Sequence, residues 1–228
     1  MAFAPKKSRR RVPRLPTRLH HRRAPIRRPG VRGALGYADQ WLLRQLRTRA
    51  HGEPLLTVMK GLGWAGEWGA VWIATGVAGA AVDPERRRRW LAASAVAPAA
   101  VVINYAVKVG VGRERPLIED HPALARAPSK LSFPSAHATS SLAGATALGR
   151  VEPRARVPLY LLAGSICICR PYLGMDYPSD VLAGALLGLG LGAIAPGVRG
   201  PDVEERMLDL VADRAEAHAS ASSEAGAA

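Results

Sequence analysis

The chain has 228 residues, enough for one domain with a sizeable core, and its 32 Lys and Arg against 18 Asp and Glu leave a formal charge of +14. Its two cysteines, Cys167 and Cys169, sit two apart in an apolar run, which excludes a disulfide framework and a zinc site built from cysteines. The excess charge has few aromatics beside it, which speaks against a specific nucleic-acid reader.

Residues 1–35 are dense in Lys and Arg, contain no acid, and carry scattered prolines with no apolar period. That pattern predicts a disordered basic arm whose natural partner is the anionic headgroups of a membrane. No apolar stretch follows the early charges, so no secretory signal is expected. Next, Trp41, Leu42 and Leu46 alternate at helical spacing with Arg44, Arg47 and Arg49, which predicts an amphipathic helix lying on the membrane surface.

Residues 55–82 form the first long apolar stretch, marked by Trp64, Trp68 and Trp72. It exceeds the ~20 residues of one crossing, and Lys60 and Glu67 place its first half at the interface, with the span near 66–82. Further apolar helices are expected at 90–109, 135–149, 157–170 and 179–196, the last three rich in the small residues that let helices approach closely in a bilayer. Residues 198–228 read as a polar, partly helical tail. The fold class is therefore all-α: a polytopic membrane helical bundle with about five transmembrane spans plus an N-terminal interfacial helix, its domain covering 36–197. The positive-inside rule gives no single orientation, because the basic arm and the loops holding Arg86–Arg89 and Arg150, Arg154 and Arg156 fall on opposite sides of five spans.

Ionisable residues beside membrane spans need partners or a purpose. Three clusters occur at helix ends: Lys108 with Arg113 and Arg115; Pro134, Ser135 and His137; and Arg170, Asp176 and Asp180. If the spans alternate in direction, all three lie on one face. Lys108, Arg115 and Arg170 would supply cationic donors, Arg with a planar fork suited to phosphate oxygens. Ser135 and the free N–H groups of its helix start would add neutral donors, and His137 could protonate a leaving oxygen. A phosphate would fit the middle.

In order and spacing these residues resemble the three signature motifs of the type 2 phosphatidic acid phosphatase superfamily: Lys108, six residues, Arg115-Pro116; Pro134-Ser135-Ala136-His137; and Arg170, five residues, Asp176, three residues, Asp180. The resemblance covers about residues 37–196. It implies a membrane-embedded phosphatase with no metal or other cofactor, acting on lipid phosphates or on prenyl phosphates and diphosphates. It also implies that Lys108, Arg115, Ser135, Ala136 and Arg170 bind the substrate phosphate and that His137 is the general acid. In the third motif a histidine attacks phosphorus and an aspartate four residues on, here Asp180, orients it.

Asp176 stands where that histidine is expected. Ala136 for the usual glycine and Cys169 for the usual serine are milder departures. Several readings stay open. Asp176 attacks phosphorus itself, or activates a water, or the chain is an inactive relative that binds lipid phosphate or serves as a partner subunit. The Arg-, Ala- and Gly-rich composition points to a bacterium with an envelope carrier lipid as substrate, and to an integral protein of the plasma membrane.

Overall fold

A computed structural model describes residues 31–49, 52–117 and 122–198. The basic arm up to residue 30 and the tail from residue 199 lie outside the described residues. Seven α-helices follow in order: α1 Val31–Thr48, α2 Glu53–Ala65, α3 Ala70–Val82, α4 Arg87–Val111, α5 Ala136–Val151, α6 Arg156–Tyr172 and α7 Pro178–Ile194. The regular structure of the described residues is thus all helical, with no strand beyond an isolated bridge between Glu114 and Leu131.

The apolar stretch 55–82 is two helices. Gly66 ends α2, a single 3-10 turn spans Glu67–Gly69, and α3 begins only at Ala70. Trp68 and Gly69 take left-handed backbone angles there, with φ of 53° and 76°, so the chain changes direction instead of running on. Leading the chain out of α4, Gly112 adopts φ 67° and returns its N–H to the Lys108 carbonyl at 3.0 Å.

Helix α5 is the axis, packed by α4, α6 and α7 and buried along most of its length. Small residues allow this. Trp72 of α3 is fully buried against Gly144, where a Cβ would lie 2.6 Å from its ring, and its indole N–H donates to Ser141 Oγ at 3.3 Å. On α7, Gly184, Gly188 and Gly192 repeat every fourth position, and a Cβ on any of them would strike the backbone or side chains of α5.

The outside of the bundle is greasy. Val102 is 72% exposed, Leu161 67% and Leu186 71%, with Ile73, Val77, Val107 and Leu182 also exposed around the same girth. Among the described residues one helix, α4 with 25 residues, is long and apolar enough to cross a membrane unaided. The other expected spans form shorter helices: α3 of 13 residues, α5 of 16, and α6 and α7 of 17 each.

Helix α1 begins at Val31, inside the stretch read as arm, and it does more than lie on a surface. Trp41 and Leu42 are exposed as an interfacial helix requires, yet Asp39, Leu43 and Arg47 are buried. Arg47, read from sequence as part of the polar face, points inward and donates to the carbonyls of Pro122 and Tyr172 at 2.5 and 3.3 Å.

Candidate active site

The end of α4, the start of α5, the end of α6 and the start of α7 converge. Antiparallel packing of neighbouring helices brings these termini together, and the described connecting residues 112–117, 122–135 and 173–177 bond to one another beside them. One backbone bond ties two of the ends directly: Ser135 N–H donates to the Asp180 carbonyl at 2.9 Å. Lys108, Ser135, His137, Arg170, Asp176 and Asp180 are all buried here, with Arg115 beside them.

Asp176 is the centre. Arg115 Nη1 donates to its Oδ1 at 2.5 Å, while Arg170 Nε and Ser135 Oγ donate to its Oδ2 at 3.0 and 2.9 Å. The backbone turn that carries it is fixed by Met175 N–H donating to the Arg170 carbonyl at 3.0 Å. Arg115 is itself locked, its other bonds going to the carbonyls of Ser129 and Met175 at 2.8 and 2.6 Å. Burial alone would push the Asp176 carboxyl up, but Arg170, Arg115 and Lys108 outweigh it and hold the group at about 2. An ionised carboxylate therefore occupies the donors that a phosphate would need.

The remaining cation, Lys108, donates to the carbonyls of Leu131 and Ser132 at 3.2 and 3.0 Å. Ser135 is the N-cap of α5 and Ala136 its first residue, so the helix presents its N-terminus to the cluster. His137, one position further, places Nε2 2.9 Å from the Gly63 carbonyl, to which it donates, and 3.5 Å from Glu67 Oε2.

Asp180 lies in the cluster but does not bond Asp176. Its Oδ2 accepts the Tyr177 N–H at 2.9 Å, capping α7, and its Oδ1 pairs with Arg113 Nη1 at 2.6 Å. Arg113 reaches three further partners: Ser179 Oγ at 2.8 Å, Asp39 Oδ2 at 2.8 Å, and the face of the Tyr177 ring at 4.2 Å. Asp39 in turn accepts from the Ser179 N–H at 2.9 Å and from the Ser179 hydroxyl. The like charges of Asp176 and Asp180, one helical turn apart, thus each have their own arginines.

An open cavity of about 280 Å³ leads to Asp176, and Lys108, Arg115, Ala136, His137 and Arg170 line it. Ser135 and Asp180 sit behind this wall. Glu67, Trp68, Asn104, Tyr105, Pro128 and Ser129 are also among its lining residues. Sequence reading missed Asp39, Asn104, Glu67 and the pairing of Arg113. The one available signal was Arg113, two residues before a motif arginine; the others lie outside the three clusters.

A family model of the PAP2 superfamily matches residues 89–201. The chain is 43% identical over 150 residues to a decaprenylphosphoryl-5-phosphoribose phosphatase of Mycobacterium tuberculosis, which covers 64% of this chain and 81% of the relative. A phosphatase of the same name from Mycolicibacterium smegmatis is 42% identical over 135 residues, covering 58% of this chain and 73% of the relative. Among solved structures, a transmembrane PAP2 type phosphatidylglycerolphosphate phosphatase from Bacillus subtilis superposes with a TM-score of 0.58 at 25% identity, over 72% of this chain and 85% of that one.

Proposed function

From the premise that the chain belongs to the PAP2 superfamily and is a membrane lipid phosphatase, we propose that it removes the terminal phosphate from a polyprenyl-linked lipid and that Asp176 is the attacking group. The curated relatives support the substrate class. The observation that carries the site is the ring of Arg115, Arg170 and Ser135 donors converging on one carboxylate beside Lys108 and His137.

In this reading Lys108, Arg115, Arg170, Ser135 and the start of α5 at Ala136 receive the phosphate, which takes over donors now held by Asp176. The displaced carboxylate stays next to phosphorus with its charge still offset by the same cations. One Asp176 oxygen bonds to phosphorus as the bond to the lipid alcohol breaks, and His137 gives its proton to the departing oxygen. A water then bonds to phosphorus while neutral His137 takes its proton, which releases inorganic phosphate and the carboxylate. Asp180 has no histidine to orient; with Arg113 it fixes the turn that carries Asp176.

The test is trapping of a phosphoenzyme from labelled lipid phosphate. Wild type should form a phosphoenzyme that hydroxylamine cleaves, as an acyl phosphate does, and Asp176→Asn should form none and lose at least about a thousandfold in turnover. Turnover without any covalent species would remove Asp176 as nucleophile and assign the attack to water.

Helices α3 to α7 serve as five tilted spans of the plasma membrane in the same reading, supported by the exposed aliphatic belt around them. The basic arm adds attraction to anionic headgroups, and α1 anchors Trp41 and Leu42 at the interface.

A further inference from the structure

One carboxylate on the cavity is matched by none of the cations gathered there. The charged groups around the His137 ring come from several elements: Arg170 from α6, Arg115 from the segment after α4, Asp176 from the turn before α7, and Glu67 from the break between α2 and α3. Lys108 of α4 lines the same cavity, and α2 meets the ring with the Gly63 carbonyl. Asp176 is matched by Arg115 and Arg170, and Asp180 by Arg113. Glu67 differs. Among the described residues no lysine or arginine stands within ion-pair range of it, and its partner is His137 Nε2 at 3.5 Å.

The backbone is shaped to bring Glu67 there. A Cβ on Gly66 would lie 2.9 Å from His137 Cδ2 and 2.8 Å from Ile166 Cγ2, so the absence of a side chain lets the break rest against the ring. Glu67 then opens the single 3-10 turn, with Trp68 after it held at φ 53°. A bulky residue in that conformation is strained, and strain of this kind persists where the local geometry serves a site.

Two acceptors on one nitrogen fix which proton His137 can give away. Nε2 lies 2.9 Å from the Gly63 oxygen and 3.5 Å from Glu67 Oε2, so Nε2 keeps its hydrogen in both charge states and the neutral ring has a bare Nδ1. The proton that passes to the departing oxygen is therefore the one on Nδ1, which Nδ1 carries only in the imidazolium. That positive ring forms beside Arg170 and Arg115, which oppose it. Asp176 does not balance it during the reaction, because its carboxylate becomes bonded to phosphorus. Glu67 is the carboxylate left for that role.

We propose that Glu67 is the counter-ion of protonated His137, a positioning residue that keeps the general acid loaded. This rests on the phosphatase reading above, in which His137 is the proton donor, and adds the residue that sets the pH range of that donor. As the bond from phosphorus to the lipid oxygen breaks, that oxygen takes the Nδ1 proton and leaves as the alcohol. The ring is then neutral, its Nε2 hydrogen still on Gly63 and Glu67. In the second step the water oxygen bonds to phosphorus, one water proton goes to Nδ1 and the bond from phosphorus to Asp176 breaks. The imidazolium is restored beside a Glu67 carboxylate that stays ionised throughout.

The test is the pH profile of kcat/KM for phosphate release from a polyprenyl phosphate by the purified full chain, with Glu67→Gln beside wild type. Glutamine keeps an acceptor next to Nε2 and removes the charge alone. His137 works protonated and Glu67 favours that form, so activity on the alkaline side should begin to fall about one pH unit lower in Glu67→Gln. On the falling limb kcat/KM should thus be about tenfold below wild type, while on its acidic side the two should agree within about twofold. Glu67→Lys, with the charge reversed, should move the limb further the same way, and Glu67→Asp should return it toward wild type. With isotope-labelled histidine, the ring signal that disappears in His137→Gln should titrate at lower pH in Glu67→Gln, which ties the limb to this residue. The Glu67 side chain is 39% exposed, so these substitutions leave the core intact. A limb and ring titration unmoved by Glu67→Gln, or a loss by the same factor at every pH, overturns the counter-ion and leaves the phosphatase reading standing. No release by wild type at any pH overturns both.

Discussion

At the scale of single residues, Asp176 bonds the very donors expected to hold phosphate, Arg115 among them from 61 residues away along the chain. The same bonds make Asp176 a structural residue. Its carboxyl moves from an ordinary 3.8 to about 2 on folding, so the ionised group contributes stability that is fully present above about pH 4 and is lost as pH falls through 2. Asp176→Asn leaves the buried Arg170 and the half-buried Arg115 without their counter-ion and should cost about 3–5 kcal/mol at pH 7. Thermal unfolding in detergent should show the wild-type advantage holding from pH 7 to pH 5 and narrowing below pH 4. An advantage that stays constant down to pH 3 would mean the carboxylate is not ionised against those arginines. The three motif clusters were legible in the sequence because their spacing is local and their side chains cannot face lipid unpartnered, whereas the bond from Arg115 to Asp176 spans 61 residues, and Asn104 reads as one more polar residue on a span until its Nδ2 bonds to Pro134 and Thr139 place it beside the site.

At the scale of elements, the helices were legible in the sequence but not how they meet. Lys60 and Glu67 divided the apolar stretch 55–82 near residue 66 in the sequence, but hydropathy is blind to direction, and it is Gly66 and Gly69 flanking Trp68 that hold the backbone break. Helix α1 read as amphipathic, which Trp41 and Leu42 satisfy, but its buried Asp39 finds Ser179 and Arg113 across 140 and 74 positions of chain. That bridge ties α1 to the turn bearing Asp176, so α1 acts as a brace for the site. Arg113→Ala and Asp39→Ala should each lower kcat about tenfold or more with little change in KM, and in a double-mutant cycle the pair should couple by about 1–2 kcal/mol. Arg113→Lys keeps the charge but not the fork and should recover little. Additive effects of Asp39 and Arg113 would deny the brace. The contact of α7 with α5 makes a second prediction. Gly188 faces the Thr139 backbone with no room for a side chain, so Gly188→Val must separate two helices whose starts hold Ser135 and Asp180. It should lose about 1–3 kcal/mol of stability and most phosphate release together; a stable, active Gly188→Val would show that α7 does not rest on α5 in this register.

At the scale of the whole molecule, the conflict in the positive-inside rule has a structural cause. Helix α1, which carries Arg44 and Arg47, docks at the site end through Asp39 and Arg47, where Lys108, Arg113, Arg115 and Arg170 also gather. The second basic group lies at the other end, where Arg86 pairs with Asp83 at 2.5 Å and with Glu152 at 3.1 Å, joining the α3–α4 and α5–α6 connections. Two sets of cations at opposite poles leave the rule nothing to choose between, and four alternating helices between the poles fix how the loops must segregate. Single cysteines placed at Glu85 and Arg154 should therefore react with an impermeant maleimide from one side of sealed vesicles. Cysteines at Leu117 and Ser129, on the long segment over the site, should react only from the other side. Native Cys167 and Cys169 are buried and should label slowly, which keeps the background low. If all four positions labelled from the same side, α4, α5 and α6 would not cross the membrane in alternation. The site would then have to reach its lipid from a bundle lying at the surface.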